Sequence, residues 1–302
     1  MQGKTLPPFV YLRAFEVVGR VGGVRKAALQ LNIDHTVVSR HIQSLEEWLG
    51  VALFHRSSGK LTLTETGLRY HEKVAAAVLD LTAATADVLD TGDQRDIRVW
   101  CVPGFAAQWL SEQVAAFEAA WPGYKIELRP TDSVANLMLH EADVDIRFYG
   151  DVWGPPPGGK GLRHVELARP PILAVASPPF AERLKALEGV ADLLDAPLLH
   201  EDHYEEWRTW FRLNGVDVET RLTGPLMWHA HLAIAAARQG RGVALASTYL
   251  VGQDLERGAL VEIKPPGAKR VILGAYYFVS RDDRWNMPII KHFRAFLQSR
   301  AG

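Results

Sequence analysis

Three observations predict a small winged helix-turn-helix head, a long connecting helix and an α/β body of two lobes. Between Val24 and Leu49 two short helical patterns are separated by Asn32-Ile33-Asp34. From Glu65 to about Leu89 a helical spacing runs on without a proline. Beyond it, short apolar runs of strand type alternate with amphipathic stretches to the end of the 302 residues.

The head opens with Pro7-Pro8 and a pattern through Phe9, Leu12, Phe15 and Val18, which ends where Gly19, Gly22 and Gly23 cluster. Ala27, Ala28 and Leu31 make one short apolar face, and Val38, Ile42, Leu45 and Leu49 make the next. Between the latter lie His35, Thr36, Ser39, Arg40 and Gln43, side chains that can reach base edges and phosphates from a helix in the major groove. Many helical hairpins never touch DNA, so the flanking segment decides the reading. Gly50 stops the helix, Phe54 supplies an apolar anchor, and Ser57-Ser58-Gly59-Lys60 reads as the tip of a small hairpin. Arg56, Ser57, Ser58 and Lys60 are then placed to meet phosphates. Residues 1–66 carry eight Lys/Arg against five Asp/Glu, a formal +3, and the remaining 26 basic and 30 acidic residues give −4. A mildly basic head on an acidic body fits a DNA module joined to a domain with another task.

Thr64 is the expected N-cap of the connecting helix, whose stripe includes Leu68, Val74, Val78, Leu81 and Val88. Some 25 residues make a helix of about 37 Å, longer than the small head can cover. The stripe therefore predicts pairing with a second copy, which would set two heads on a two-fold site; packing against the chain's own second half is the alternative.

In the body, IRVWCV, KIELRPTD, VDIRFYG, ILAVASP, VALAS and ILGAYYFVS read as buried strands, and LSEQVAAFEAAW, SVANLMLHEA, EEWRTWFRLNG and HLAIAAARQG as helices between them. Pro170-Pro171 and the region from Val261 to Lys269 are candidate crossovers between two lobes, Asp151–Gly161 reads as a loop, and a final helix spans about Pro288 to Gln298. A ligand cleft is expected between the lobes, beyond the strand ends. Loops after predicted strands supply its candidates: Gly104 and Phe105, then Thr131, Asp132 and Ser133, then Arg147 and Tyr149, His200 and His203, and Trp228 and His229. Arg147 and exposed amides suit a small carboxylate, while Phe105, Tyr149 and Trp228 suit an apolar or aromatic portion. Trp207 and Trp210, three apart on one helix, read as core, and Asp143 and Asp145 as braces of strands.

Enzyme signatures are missing: there is no H-E-x-x-H, no G-x-S-x-G and no G-x-G-x-x-G after a strand. His200 and His203 could hold zinc, but Glu201 and Asp202 point elsewhere on a helix and no third ligand follows. Cys101 stands alone within an apolar run, which reads as a buried thiol and excludes an intrachain disulfide framework. No stretch approaches the roughly 18 apolar residues of a membrane span, and MQGKTLPPFV lacks the apolar run of a signal peptide, so a cytoplasmic location without membrane contact is expected.

These residues resemble the LysR-type transcriptional regulators. The similarity lies in Ala27-Ala28, in IDHTVVSRHIQSLEEWLGVALFHR with its Ser39, Ile42, Leu45 and Glu46, in Leu49-Gly50, Leu53-Phe54 and Arg56, and in LTLTETG at Leu61 to Gly67. Through the body, PGFAAQWLSEQVAAFEAAWPG, EADVDIRFYG, PLLHED, ARQGRGVALASTYL and AYYFVS look like the branch containing the glycine-cleavage and beta-lactamase gene regulators. Gly23-Val24, His35-Thr36 and Ser57-Ser58 depart from common family residues at positions that face DNA. The resemblance implies a winged helix-turn-helix over 1–66, a linker and dimerisation helix over 67–92, and a periplasmic-binding-protein-like (type 2) effector domain over 93–302. Its lobe I would hold about 93–168 and 270–302, and lobe II about 169–269. It further implies a regulator and not an enzyme, without a cofactor, acting on double-stranded promoter DNA as a dimer or tetramer, contacting RNA polymerase and modulated by a small-molecule effector. A ligand-binding protein with a non-transcriptional output is the rival expectation.

Overall fold

The computed structural model describes residues 6–57, 60–89, 95–159, 161–219 and 221–301, and divides into two compact units, Met1–Thr91 and Gly92–Gly302. In the first unit, α1 (Phe9–Val21), α2 (Val24–Leu31) and α3 (His35–Leu49) enclose Phe15, Val18, Ala27, Val38, Ile42 and Leu45. The apolar spacing in the sequence thus becomes one core. Asp34 caps α3 by accepting from the Thr36 amide at 2.8 Å, and Gly50, with φ 73°, ends it in the left-handed region that glycine enters without strain. A hairpin follows, β1 (Phe54–Ser57) antiparallel to β2 (Lys60–Leu63), with Ser57 opposite Lys60. Ser58 and Gly59, at its expected tip, lie outside the described residues, as do the side chains of Arg56, Ser57 and Lys60.

Glu46 explains how the hairpin is fastened: its Oε1 accepts from the Leu53 amide at 2.7 Å and the Phe54 amide at 3.1 Å. Thr64 is the N-cap of α4 (Glu65–Leu89), its hydroxyl oxygen accepting from the Gly67 amide at 2.9 Å. Gly67 is fixed by space, since a Cβ there would lie 2.1 Å from the Leu53 carbonyl oxygen. The first turns of α4 pack Tyr70 and Val74 onto the core, whereas Leu81 and Val88 are exposed.

The second unit begins with β3 (Asp96–Cys101), a short turn α5 (Pro103–Phe105), a π-helical segment Ala106–Leu110, α6 (Ser111–Ala120), β4 (Lys125–Pro130), β5 (Val144–Gly150) and β6 (Leu162–Ala168). The chain then enters the other lobe through Arg169-Pro170-Pro171. There it forms β7 (Ile172–Ala176), α7 (Pro178–Arg183), β8 (Leu198–Leu199), α8 (Glu205–Leu213), α9 (Ala230–Arg238), β9 (Val243–Ser247), α10 (Thr248–Glu256) and β10 (Val261–Glu262). It returns to the first lobe for β11 (Gly274–Arg281) and α11 (Pro288–Arg300). Lobe I holds the sheet β4-β3-β5-β11-β6, parallel among β4, β3 and β5 and antiparallel on either side of β11. Lobe II holds β10-β7-β9-β8.

Two expectations are corrected. SVANLMLHEA forms only a 3-10 turn at Leu137–Leu139, because the Asn136 side chain accepts from the Leu139 amide and Glu141 accepts from the Asn136 amide, local bonds that compete with a helix. The return crossover also lies later than Val261–Lys269: β10 still pairs with β7, and Val271 bridges Ile172 before the chain leaves the lobe. As expected, Trp207 and Trp210 are buried in the lobe II core and Cys101 in the larger core, where burial pushes its thiol pKa up. Among the described residues no helix is long and apolar enough to cross a membrane, and no group of three His, Cys, Asp or Glu is placed to hold a metal ion.

Candidate functional site

The first site is the outer face of α3. His35, Thr36, Ser39, Arg40 and Gln43 are all exposed, while Val38 and Ile42 between them are turned into the core. The positions 36, 39, 40 and 43 fall on one side of a helix by its three-and-four spacing. Two of these side chains are partly engaged: the Thr36 hydroxyl donates to Asp34, and the Gln43 amide donates to Glu47 at 2.9 Å. Arg40 makes no ion pair with a glutamate among the described residues, so its guanidinium keeps all five donors for another partner.

The second site is a cavity between the lobes of the second unit, with about 690 Å³ of empty space that is partly open to solvent. Lobe I contributes the Val102–Phe105 turn, Asp132, Phe148, Trp153 and Tyr276. Lobe II contributes Ile172, Glu201, Glu206, His229, Ala230, the end of β9 and Leu250. Its aromatic wall is well ordered by packing: Phe105 stacks on Tyr276 with centroids 3.9 Å apart, and Phe148 meets Trp153 and Tyr276 edge to face. At the cavity two polar contacts join the lobes, His229 Nδ1 with Asp132 Oδ1 at 3.3 Å and Ser247 Oγ with Tyr276 Oη at 3.2 Å.

Four of the sequence candidates meet here: Gly104, Phe105, Asp132 and His229. The others do not. Arg147 is buried and its donors are spent inside lobe I, with Nε on Asp145 Oδ2 at 2.9 Å, Nη1 on the Asp132 carbonyl at 2.9 Å, and Nη2 on the carbonyls of Thr131 and Ser133. It braces the Thr131–Ser133 loop and has nothing left for a carboxylate. Thr131 and Ser133 present those carbonyls to Arg147 and do not line the cavity. Tyr149 lines a separate, more open surface depression with Gly150, Arg169 and Tyr277. His200 is fully buried behind the wall, its Nε2 against the Thr223 carbonyl at 3.1 Å, and His203 pairs with Asp202 beside Trp153. Trp228, at φ 65°, is 69 % exposed and does not line the cavity.

Two carboxyls supply what the sequence reading lacked. Glu201 lies in a bend rather than on a helix, and its Oε1 accepts from the Ala230 amide at 2.9 Å, a carboxylate on the N-terminus of α9. Burial raises its pKa to about 7, helped by the nearby charge of Asp202. Glu206, in the first turn of α8, is only 7 % exposed and is also held well above the ordinary carboxylate range, first by burial and then by the charges of Glu201 and Asp202. One signal pointed to it: Glu206 is four residues from Trp210, which puts an acid on the buried face of its helix. Among the described residues that line the cavity none is Lys or Arg. Of the two supports for a carboxylate effector, Arg147 and exposed amides, the Arg147 guanidinium is committed inside lobe I.

An exposed polar helix face in a winged head, and a partly open cavity between the lobes of an α/β body, define a ligand-responsive DNA-binding regulator. Comparison with known proteins agrees. Residues 9–68 match the bacterial regulatory helix-turn-helix protein of the lysR family, and residues 90–302 match the LysR substrate binding domain. The chain belongs to the LysR family of transcriptional regulators: it binds DNA, carries a ligand-binding effector domain, and is not an enzyme. It is 32 % identical to the glycine cleavage system transcriptional activator of Escherichia coli over 99 % of this chain and 95 % of that one. It is 31 % identical to the transcriptional activator AmpR of Pseudomonas aeruginosa over 96 % of this chain and 94 % of the relative. Among solved structures, the AmpR effector domain from P. aeruginosa superposes with a TM-score of 0.58 at 26 % identity, covering 68 % of this chain and 95 % of that one. CrgA of Neisseria meningitidis, a LysR-type regulator, shares the fold at full length, with a TM-score of 0.57 at 21 % identity over 98 % of this chain and all of that one.

Proposed function

We propose that the outer face of α3 reads base edges in the major groove of a two-fold promoter site, and that a small molecule in the interlobe cavity changes how the protein sits on that site. The reading rests on the exposed row of His35, Thr36, Ser39, Arg40 and Gln43, with the Arg40 guanidinium uncommitted. Arg40 takes a guanine edge, and Arg56, Ser57, Ser58 and Lys60 hold phosphates. Two copies joined along α4 present two heads to the two half-sites, and pairs of dimers give tetramers. The occupied cavity draws the lobes onto one ligand, which alters the spacing of the heads and their meeting with RNA polymerase in the cytoplasm.

A mobility-shift titration separates the two kinds of DNA contact. R40A is expected to weaken operator binding by about 1–3 kcal/mol, roughly tenfold or more, and to relax specificity at one base position. K60A is expected to weaken specific and random DNA alike and to lower the salt dependence by about one phosphate contact. Equal losses on both DNAs for R40A would move Arg40 to the phosphate set.

A further inference from the structure

The cavity is unusual in charge. Glu206 is more than nine-tenths buried, lines the empty space, and has no hydrogen-bond or ion-pair partner among the described residues. Such a group is costly unless something fills the gap. Glu201 and Asp132 line the same space, and rings of Phe105, Trp153 and Tyr276 form its wall. The nearby nitrogen bases are imidazoles: His229 Nδ1 lies 3.3 Å from Asp132 Oδ1, and His231 stacks behind it with ring centroids 5.2 Å apart. Asp202 adds further negative charge from the same bend as Glu201.

We propose that this cavity takes a small organic cation, an amine or guanidine carried on an apolar or aromatic body, with its charge seated on Glu206. The inference rests on the effector-cavity reading above and names the ligand class for it. Each part of the site answers one part of such a molecule. Glu206 accepts the N–H donors that no protein group supplies to it, and Glu201 lends negative charge from beside it while keeping its own bond to the Ala230 amide. The ring faces of the wall favour a cation over a neutral group of the same shape. An anionic ligand would meet three carboxyl groups and no Lys or Arg.

Seating the cation also moves protons. Burial and mutual repulsion favour the protonated carboxyls of Glu201 and Glu206. The ligand's positive charge favours their ionised forms, so binding releases protons to solvent and tightens as pH rises. The groups acting on Glu206 are Glu201 and Asp202 on the bend before α8 and Tyr276 on β11; Asp132 on the loop after β4 and His229 before α9 line the same cavity, with His231 stacked behind His229.

The test is isothermal titration calorimetry on the full-length protein with three probes of one shape: phenethylamine, phenethyl alcohol and phenylacetate. The amine is expected to bind at least about tenfold more tightly than either of the others, to bind more tightly at pH 8 than at pH 6, and to release protons in buffers of different ionisation enthalpy. E206Q, checked for an intact melting transition, is expected to lose about tenfold or more for the amine and little for the alcohol. Equal or tighter binding of the alcohol or the acid, an unchanged amine affinity in E206Q, or no amine binding up to about 10 mM would overturn the cation assignment. Ala230→Phe, which fills the cavity at a half-buried wall position, separates the two readings. Alcohol or acid binding that this variant blocks keeps the effector cavity and removes only its preference for cations, whereas binding that it leaves intact removes the cavity reading as well.

Discussion

At the scale of single residues, the side chains that matter most are held in costly positions. Glu206 shows this through pH. Its unfolded form ionises near 4.5, while in the fold burial holds it well higher, so over the interval between the two values the folded chain keeps a proton that the unfolded chain gives up. Its contribution is therefore fully present below about pH 4.5 and is lost as pH rises through the folded value. The melting temperature of the ligand-free protein is expected to fall further between pH 5 and pH 8 than that of E206Q. His200 and His231, whose pKa values burial lowers, titrate in both proteins and cancel in the difference. Parallel curves in differential scanning calorimetry would remove Glu206 as a protonated buried acid. Gly67 is costly for a different reason. G67A brings a methyl group against the Leu53 carbonyl and is expected to destabilise the head by about 1–3 kcal/mol in urea unfolding, with a rise toward zero if the hairpin simply shifts aside.

At the scale of elements, legibility followed how local the cause was. α3 could be read from its apolar spacing, its Asp34 cap and Gly50, all within one stretch of sequence. The same holds for α4, where Thr64 marks the start, and for β9, a short run of Val, Ala and Leu. SVANLMLHEA misled because side-chain bonds from Asn136 and Glu141 outweigh its helical pattern. The cavity was hardest, since it depends on which loops of two lobes come together. Gly104, Phe105, Asp132 and His229, all loop candidates from the sequence, line one cavity, but nothing in the local sequence signals that Arg147 is spent on the Thr131–Ser133 carbonyls. Glu206 was hidden among the tryptophans of an amphipathic helix that was read only for its core. For α4 the exposed Leu81 and Val88 carry the self-association reading. L81D is expected to weaken it at least about tenfold in analytical ultracentrifugation, and unchanged association would move the interface elsewhere on the chain.

At the scale of the whole molecule, the two sites belong to separate compact units, so any communication between them is a free energy of coupling and must act both ways. A ligand that changes operator affinity by some factor changes its own affinity by the same factor when operator DNA is present. A ligand that binds both states equally shifts nothing, however tightly it binds. Regulation depends first on the reading head, because a cavity without selective DNA binding regulates no gene. The most direct measurement is selection of genomic DNA fragments by the purified full-length protein, sequenced in parallel for the unmodified chain and R40A. The unmodified chain is expected to return a few two-fold sites that disappear with R40A. Salt-sensitive binding without sequence preference, the same for both proteins, would show that α3 does not read base sequence.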